Sequence, residues 1–329
     1  MDIFHLLISN FLSAPLLFFL LGIGAGLLKS DIHFPESLGK FLAIYLMIAI
    51  GLKGGLSVQQ IQTFHWSTVI IFGSGIIIGF IQPFLGYWIL KRTTSLDRST
   101  AAAVAAHYGS VSLVTFITAV SFLKNQSICY EGFMIALMAL MEAPAIISGL
   151  IIAKSDHQSF SKRIVWHHLS KEILSNGAII LLLGSFFIGW IIGPEGFEKI
   201  AGLFMHPFQG ILCLFLLEMG LSVSREFQAI HHFPKGLLPF GIFMPICGAI
   251  VGIVLSTIIG LNEGTSTLFT ILLASASYIA VPAAMRLALP EVKPVIYIPL
   301  TLGITFPFNV LIGIPVYYAV IHFLRFKGY

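Results

Sequence analysis

Charge is scarce in this 329-residue chain: Asp, Glu, Lys and Arg make up 10% of it, against 57% hydrophobic residues and a mean hydropathy of +0.96. So few charges cannot cover a soluble globule or keep a disordered chain in solution, which excludes both and leaves a protein whose solvent is largely lipid. Cysteine is scarce too. Cys129, Cys213 and Cys247 show no CxxC spacing and no histidine-rich surroundings, so neither a disulfide framework nor a zinc site is expected. There is no phosphate-binding glycine loop and no nucleophile with a base at useful spacing, so neither enzyme chemistry nor a cofactor is expected. The net charge of +4 is spread as membrane loops carry it and does not form a nucleic-acid patch. Residues 1–22 hold Asp2 and no Lys or Arg before the apolar run, so they read as the entry to a first span and not as a cleaved signal.

What the chain does contain is long apolar runs bounded by charge and turn residues. At about 20 residues per span, they predict an all-α polytopic membrane protein with ten transmembrane helices, near 12–28, 36–53, 66–90, 98–122, 131–153, 173–192, 204–220, 236–259, 265–288 and 294–324. The polar stretch from Lys154 to Glu172 divides the chain into a first five-span unit (1–153), a linker (154–172) and a second five-span unit (173–329). Ten spans put both termini on one side. Of the Lys and Arg residues, 5 fall on that side and 13 on the other, so the positive-inside rule places the linker in the cytoplasm and both termini outside, in a bacterial inner membrane. An odd number of spans per unit forces the two units into opposite orientations.

A repeat supports that plan. The tetrapeptide Gly55-Leu56-Ser57-Val58 recurs as Gly220-Leu221-Ser222-Val223, 165 residues on, and is read as ending spans two and seven. At the same offset Gly109-Ser110-Val111-Ser112 in span four meets Ala274-Ser275-Ala276-Ser277 in span nine. This is the pattern of a 5+5 inverted repeat, the architecture of many secondary transporters. Spans four and nine are also the least helical, because Gly109 loosens one, Pro282 interrupts the other, and the serines bond locally. Unwound backbone at membrane depth survives only where protein buries it or a cavity hydrates it. Their half-helix N-termini suit a small anion, while freed carbonyls and the hydroxyls of Ser110, Ser112, Ser275 and Ser277 suit a cation such as sodium. The alternative is that these small residues only let helices pack closely.

Several ionisable groups fall in or near spans. Glu142, in Met141-Glu142-Ala143-Pro144, reads as a cation partner, a proton carrier or half of a structural pair. Lys53 and Glu218, each two residues before a Gly-Leu-Ser-Val, read as span-end residues that snorkel to the interface. His107, before the first break, reads as a proton relay or a structural histidine. Arg286 reads as a cytoplasmic anchor or as a residue that attracts an anion from the cytoplasm, and His167-His168 and His231-His232 as solvated loop residues.

Ile50-Gly-Leu-Lys-Gly-Gly55, Gly109-Ser-Val-Ser112, Tyr130-Glu-Gly132, Met141-Glu-Ala-Pro144, Ser275-Ala-Ser-Tyr-Ile-Ala-Val-Pro-Ala-Ala-Met-Arg286 and Leu302-Gly-Ile-Thr-Phe-Pro-Phe-Asn309 resemble the sodium-dependent bicarbonate permease family, over essentially the whole chain. The resemblance implies broken helices four and nine that cross, as in bile-acid and sodium/proton transporters. It also implies elevator-type alternating access, a homotrimer, bicarbonate as substrate with sodium as coupling ion, and a PII-like regulatory protein as a partner. Carried over by position, substrate binding falls on Gly109, Ser110, Ser112, Ala276, Ser277 and Tyr278, and cation binding or coupling on Thr115, Glu142 and Ser275, with no metal other than sodium. The chain departs from the cyanobacterial branch at Tyr278, where that branch has Asp, and at Leu113 and Val114, where it has Gly and Ser. Transport of another organic anion, proton coupling through Glu142 and His107, and a membrane sensor that binds without transporting are the alternatives.

Overall fold

The computed structural model describes residues 3–32, 34–59, 66–154, 177–230, 233–278, 281–282, 284–285, 289, 291–292 and 294–326. Helices α1 (Ile3–Phe11), α2 (Ala14–Leu27), α3 (Glu36–Gln59), α4 (Trp66–Thr93), α5 (Arg98–Gly109), α6 (Leu113–Asn125), α7 (Met134–Leu140) and α8 (Glu142–Lys154) are followed, past the linker, by α9 (Gly177–Phe204), α10 (Phe208–Ile230), α11 (Leu237–Ile259) and α12 (Glu263–Ala274). The last stretch runs through α13 (Pro294–Leu300), α14 (Phe306–Phe308) and α15 (Ile314–Phe326), joined by π-helical turns at Thr301–Thr305 and Asn309–Gly313. Among the described residues there is no strand, and eight segments are long and apolar enough to cross a bilayer. The chain is an all-helical, multi-pass membrane protein.

Two helix pairs pack at glycine. α2 packs along α10, and α3 along α9. A Cβ on Gly22 would collide with the Leu217 carbonyl, and one on Gly189 with the Leu52 carbonyl, whose positions are 165 residues apart. Likewise Gly220 lies against Phe19 O and Ile23 N, and Gly55 against Phe186 O and Trp190 N. Each pair therefore crosses backbone to backbone at glycine, the close approach that replaces hydrophobic driving force inside lipid.

Gly-Leu-Ser-Val closes the first of these helices but not the second: among the described residues α3 reaches Gln59, just past Val58, whereas α10 runs on well past Val223 to Ile230. The serines do not break these helices because their hydroxyls are satisfied inside them, Ser57 Oγ donating to Lys53 O at 2.9 Å and Ser222 Oγ to Glu218 Oε1 at 3.0 Å. Lys53 and Glu218 consequently lie within helices, and Glu218 near the middle of α10. The first span also differs, since helix begins at Ile3 and breaks at Leu12 and Ser13 before Pro15 at the start of α2. The span expected at 131–153 is two helices interrupted at Met141.

α1 has a specific role in the final stretch. Pro315 has no N–H to offer the carbonyl of Leu311 or, across a π turn, of Val310. Asn10 Nδ2 supplies it, donating to Val310 O at 3.1 Å and Leu311 O at 3.4 Å, with Asn10 buried. Beyond Lys154 the linker, together with His167, His168, His231, His232 and Arg286, lies outside the described residues.

Candidate functional site

The site grows from two 12-residue helices of matched construction. Asp97 caps α5, its Oδ2 accepting from Thr100 N at 3.0 Å, and Asn262 caps α12, its Oδ1 accepting from Thr265 N at 2.8 Å. α5 ends at Ser110 (φ −98°, ψ 178°) and α12 at Ser275 (φ −91°, ψ 169°). All of these positions are 165 residues apart. Ala101, Ala102, Ala103, Ala105 and Ala106 are fully buried, so the first helix reaches its break through a stretch that neighbours can approach closely.

The two breaks meet. Ser277 N donates to His107 O at 2.8 Å. At the equivalent place in the other direction one hydroxyl intervenes: Ser112 N donates to Ser275 Oγ at 2.9 Å, and Ser275 Oγ donates to Leu272 O at 3.1 Å. Each extended segment thus supplies the partner that the other helix end has lost. Ser112 caps α6, its Oγ accepting from Thr115 N at 3.2 Å and Thr115 Oγ1 at 2.9 Å, and Ser277 Oγ accepts from Val281 N at 3.3 Å. Ser110, Ser112, Ser275 and Ser277 are all buried, as are Gly109, Thr115 and Ala276.

The sequence reasoning missed two neighbours that complete the second break. Gln82 Nε2, from α4, donates to Leu273 O at 3.0 Å, and Asn309 Nδ2 donates to Ala274 O at 2.8 Å. A lone amide inside an apolar run was the available signal for each. With Ser275 they cap three consecutive carbonyls of α12. The first break is not finished this way. His107 O meets Ser277 N, but among the described residues no side chain donates to Tyr108 O or Gly109 O, and the buried Ser110 Oγ has no partner. Two further groups secure the surroundings: Tyr108 donates to Thr305 Oγ1 at 2.8 Å, because that hydroxyl already gives its own proton to Gly241 O at 2.7 Å.

The turn at Met141, just before Glu142, comes beside this first break. Gly79 of α4 lies between them: a Cβ there would be 3.1 Å from Gly109 O and 3.7 Å from Met141 O. Glu142 opens α8 immediately after the interruption, with Oε2 buried and without a partner. The Tyr278 hydroxyl is buried and without a partner as well, its ring edge-on to Phe306 at 5.6 Å. His107 is fully buried, with Nδ1 2.6 Å from Ala103 O, Nε2 without a partner, and its ring 4.5 Å from that of Tyr297. Among the described residues no group of three His, Cys, Asp or Glu could hold a metal ion.

Two helices that break within a multi-pass membrane protein and bond to each other at their breaks define its class, that of helical membrane proteins with unwound backbone buried in protein. The chain belongs to the Na+-dependent bicarbonate transporter superfamily, whose family model matches residues 14–322. No curated protein matches it.

Proposed function

We propose that the protein takes up bicarbonate by sodium symport across the bacterial inner membrane, through ten spans arranged as two inverted five-span units with both termini outside. The observation that carries this reading is the reciprocal bonding of the two breaks, Ser277 N to His107 O and Ser112 N to Ser275 Oγ. Capped half-helix ends such as that of α6 at Ser112 offer N–H groups and positive dipole ends to the anion. Tyr108 O, Gly109 O and Ser110 Oγ, left without side-chain donors among the described residues, are hard oxygen ligands of the kind sodium takes, and the Met141 carbonyl that precedes Glu142 packs across Gly79 from Gly109 O. Absence of an Asp at Tyr278 is compatible with this, because these oxygens belong to the other break.

Movement follows from the packing. α2, α3, α9 and α10 form a glycine-crossed set that serves as scaffold, and the helices around the breaks form the carrier that rises and falls against it, an elevator. The scaffold is the surface on which a homotrimer assembles, and a PII-like regulator docks on the cytoplasmic face.

The test is uptake of labelled bicarbonate into proteoliposomes under an inward sodium gradient, with a choline control. Sodium-driven accumulation supports symport; no accumulation in active, oriented vesicles discards bicarbonate. A second reading, proton coupling, is favoured by the unpartnered Glu142 Oε2 and His107 Nε2. Accumulation driven by an imposed pH gradient without sodium, and lost in Glu142→Gln, decides for it.

A further inference from the structure

Lys53 is the cation in this molecule whose placement the transport reading leaves unused. It lies inside α3, half-buried, and among the described residues no carboxylate pairs with it. Its ammonium sits 5.5 Å from the centroid of the Tyr130 ring. The hydroxyl of that ring is itself buried and has no hydrogen-bond partner. A cation over an aromatic face is attracted to it, but the attraction does not replace the hydration that an ammonium loses inside a membrane protein. A buried phenol proton without an acceptor is unfavourable for the same reason.

The segment holding Tyr130 is fixed against both halves of the fold. Glu131 N donates to Thr265 Oγ1 at 3.0 Å, Glu131 Oε1 accepts from Asn262 Nδ2 at 3.3 Å, and Gly132 packs on Gly54 and Ser57 of α3. The one acidic neighbour in that segment is therefore turned toward Asn262. A buried phenol without an acceptor and a partly exposed ammonium without a carboxylate partner thus lie about the same ring, among the described residues, where the carrier's outer loop meets the scaffold. The position 165 residues on holds Glu218, so the repeat does not place a cation at both ends.

We propose that Lys53 Nζ and the Tyr130 hydroxyl form a second anion site, separate from the helix breaks, that takes a small oxyanion at the face carrying residues 126–133. An ammonium and a phenol together satisfy two oxygens of one oxyanion, the charge-assisted pattern that anions favour. The site does not require bicarbonate to be the transported species. Placed at the contact between scaffold and outer loop, it holds an anion ahead of the crossing and ties its occupancy to that contact.

The experiment titrates the purified full-length protein with sodium bicarbonate and with sodium formate, ionic strength and sodium held constant with sodium chloride, and reads thermal stabilisation. Wild type, Tyr130→Phe, Lys53→Arg and Lys53→Gln are compared. Tyr130→Phe keeps the ring and removes only the unpartnered hydroxyl, so it folds if any variant does. The expected result is stabilisation of wild type and Lys53→Arg, a midpoint about tenfold higher in Tyr130→Phe, and a larger loss in Lys53→Gln. Equal midpoints in all four proteins, or no stabilisation of wild type by either anion, overturns the site. Because the readout is binding, it stands even if vesicles fail to accumulate bicarbonate. Where they do accumulate it, Tyr130→Phe raises the half-saturating concentration and leaves the maximal rate unchanged.

Discussion

Replacing Ser275 with alanine removes one oxygen that serves two buried backbone groups at once. Its Oγ accepts from Ser112 N at 2.9 Å and donates to Leu272 O at 3.1 Å, in a residue 1% exposed. Alanine leaves an N–H and a C=O without partners, each costing about 1–3 kcal/mol, so the expected loss is about 2–6 kcal/mol. Ser277→Ala is the control, since its Oγ meets only Val281 N at 3.3 Å while its own N–H stays on His107 O. That loss is about 0.5–1.5 kcal/mol. Thermal unfolding of both variants in the same detergent measures the difference, with bicarbonate uptake followed in parallel. Ser275→Ala should melt well below Ser277→Ala, and both should transport poorly. Equal melting temperatures, or the reverse order, would refute the bonding scheme that joins the two breaks.

Asn309→Leu removes the donor to Ala274 O and should destabilise by about 1–3 kcal/mol in the same melting assay, with no change in the packing of α3 on α9. Gly55→Ala and Gly220→Ala each force a Cβ into the facing backbone, at Phe186 and at Phe19. Both should reduce the yield of folded protein in the membrane to a similar extent, measured by fluorescence-detected size exclusion; a harmless substitution at either site would break the equivalence of the two crossings.

The positions of the breaks were legible in the sequence because they depend on local chemistry. Gly109 and the serines on either side of residues 111 and 276 compete with the helix for hydrogen bonds, and α5 and α12 end where those residues begin. The capping of the second break was not legible, because Gln82 and Asn309 reach it from 191 and 35 residues away. No periodicity encodes such a contact. The reading of the second Gly-Leu-Ser-Val, at 220–223, as a span end failed for a related reason. Glycine and serine look like a helix end in one chain considered alone, whereas here glycine is where a second helix crosses and serine bonds back into its own helix. The depth of Glu218 was lost with it.

The two repeat-equivalent serines Ser110 and Ser275 should respond to the same substitution in opposite ways. Ser275 holds the crossing together: its hydroxyl donates to Leu272 O and accepts from Ser112 N, and the three terminal carbonyls of α12 are capped by it, Gln82 and Asn309. Ser110 is buried equally well, at 1% exposed, yet among the described residues its hydroxyl meets no protein group and the neighbouring Tyr108 and Gly109 carbonyls lack side-chain donors. A buried hydroxyl without a partner adds nothing to folding, so Ser110→Ala should melt within about 1 kcal/mol of wild type or slightly above it. If that oxygen is a sodium ligand, its loss should raise the sodium concentration for half-maximal uptake about tenfold, equivalent to about 1.4 kcal/mol. The maximal rate at saturating sodium should be recovered. A Ser110→Ala variant as unstable as Ser275→Ala would place Ser110 in the scaffold of the crossing. An unchanged sodium dependence in a stable variant would remove it from the cation site and leave the coupling to Glu142.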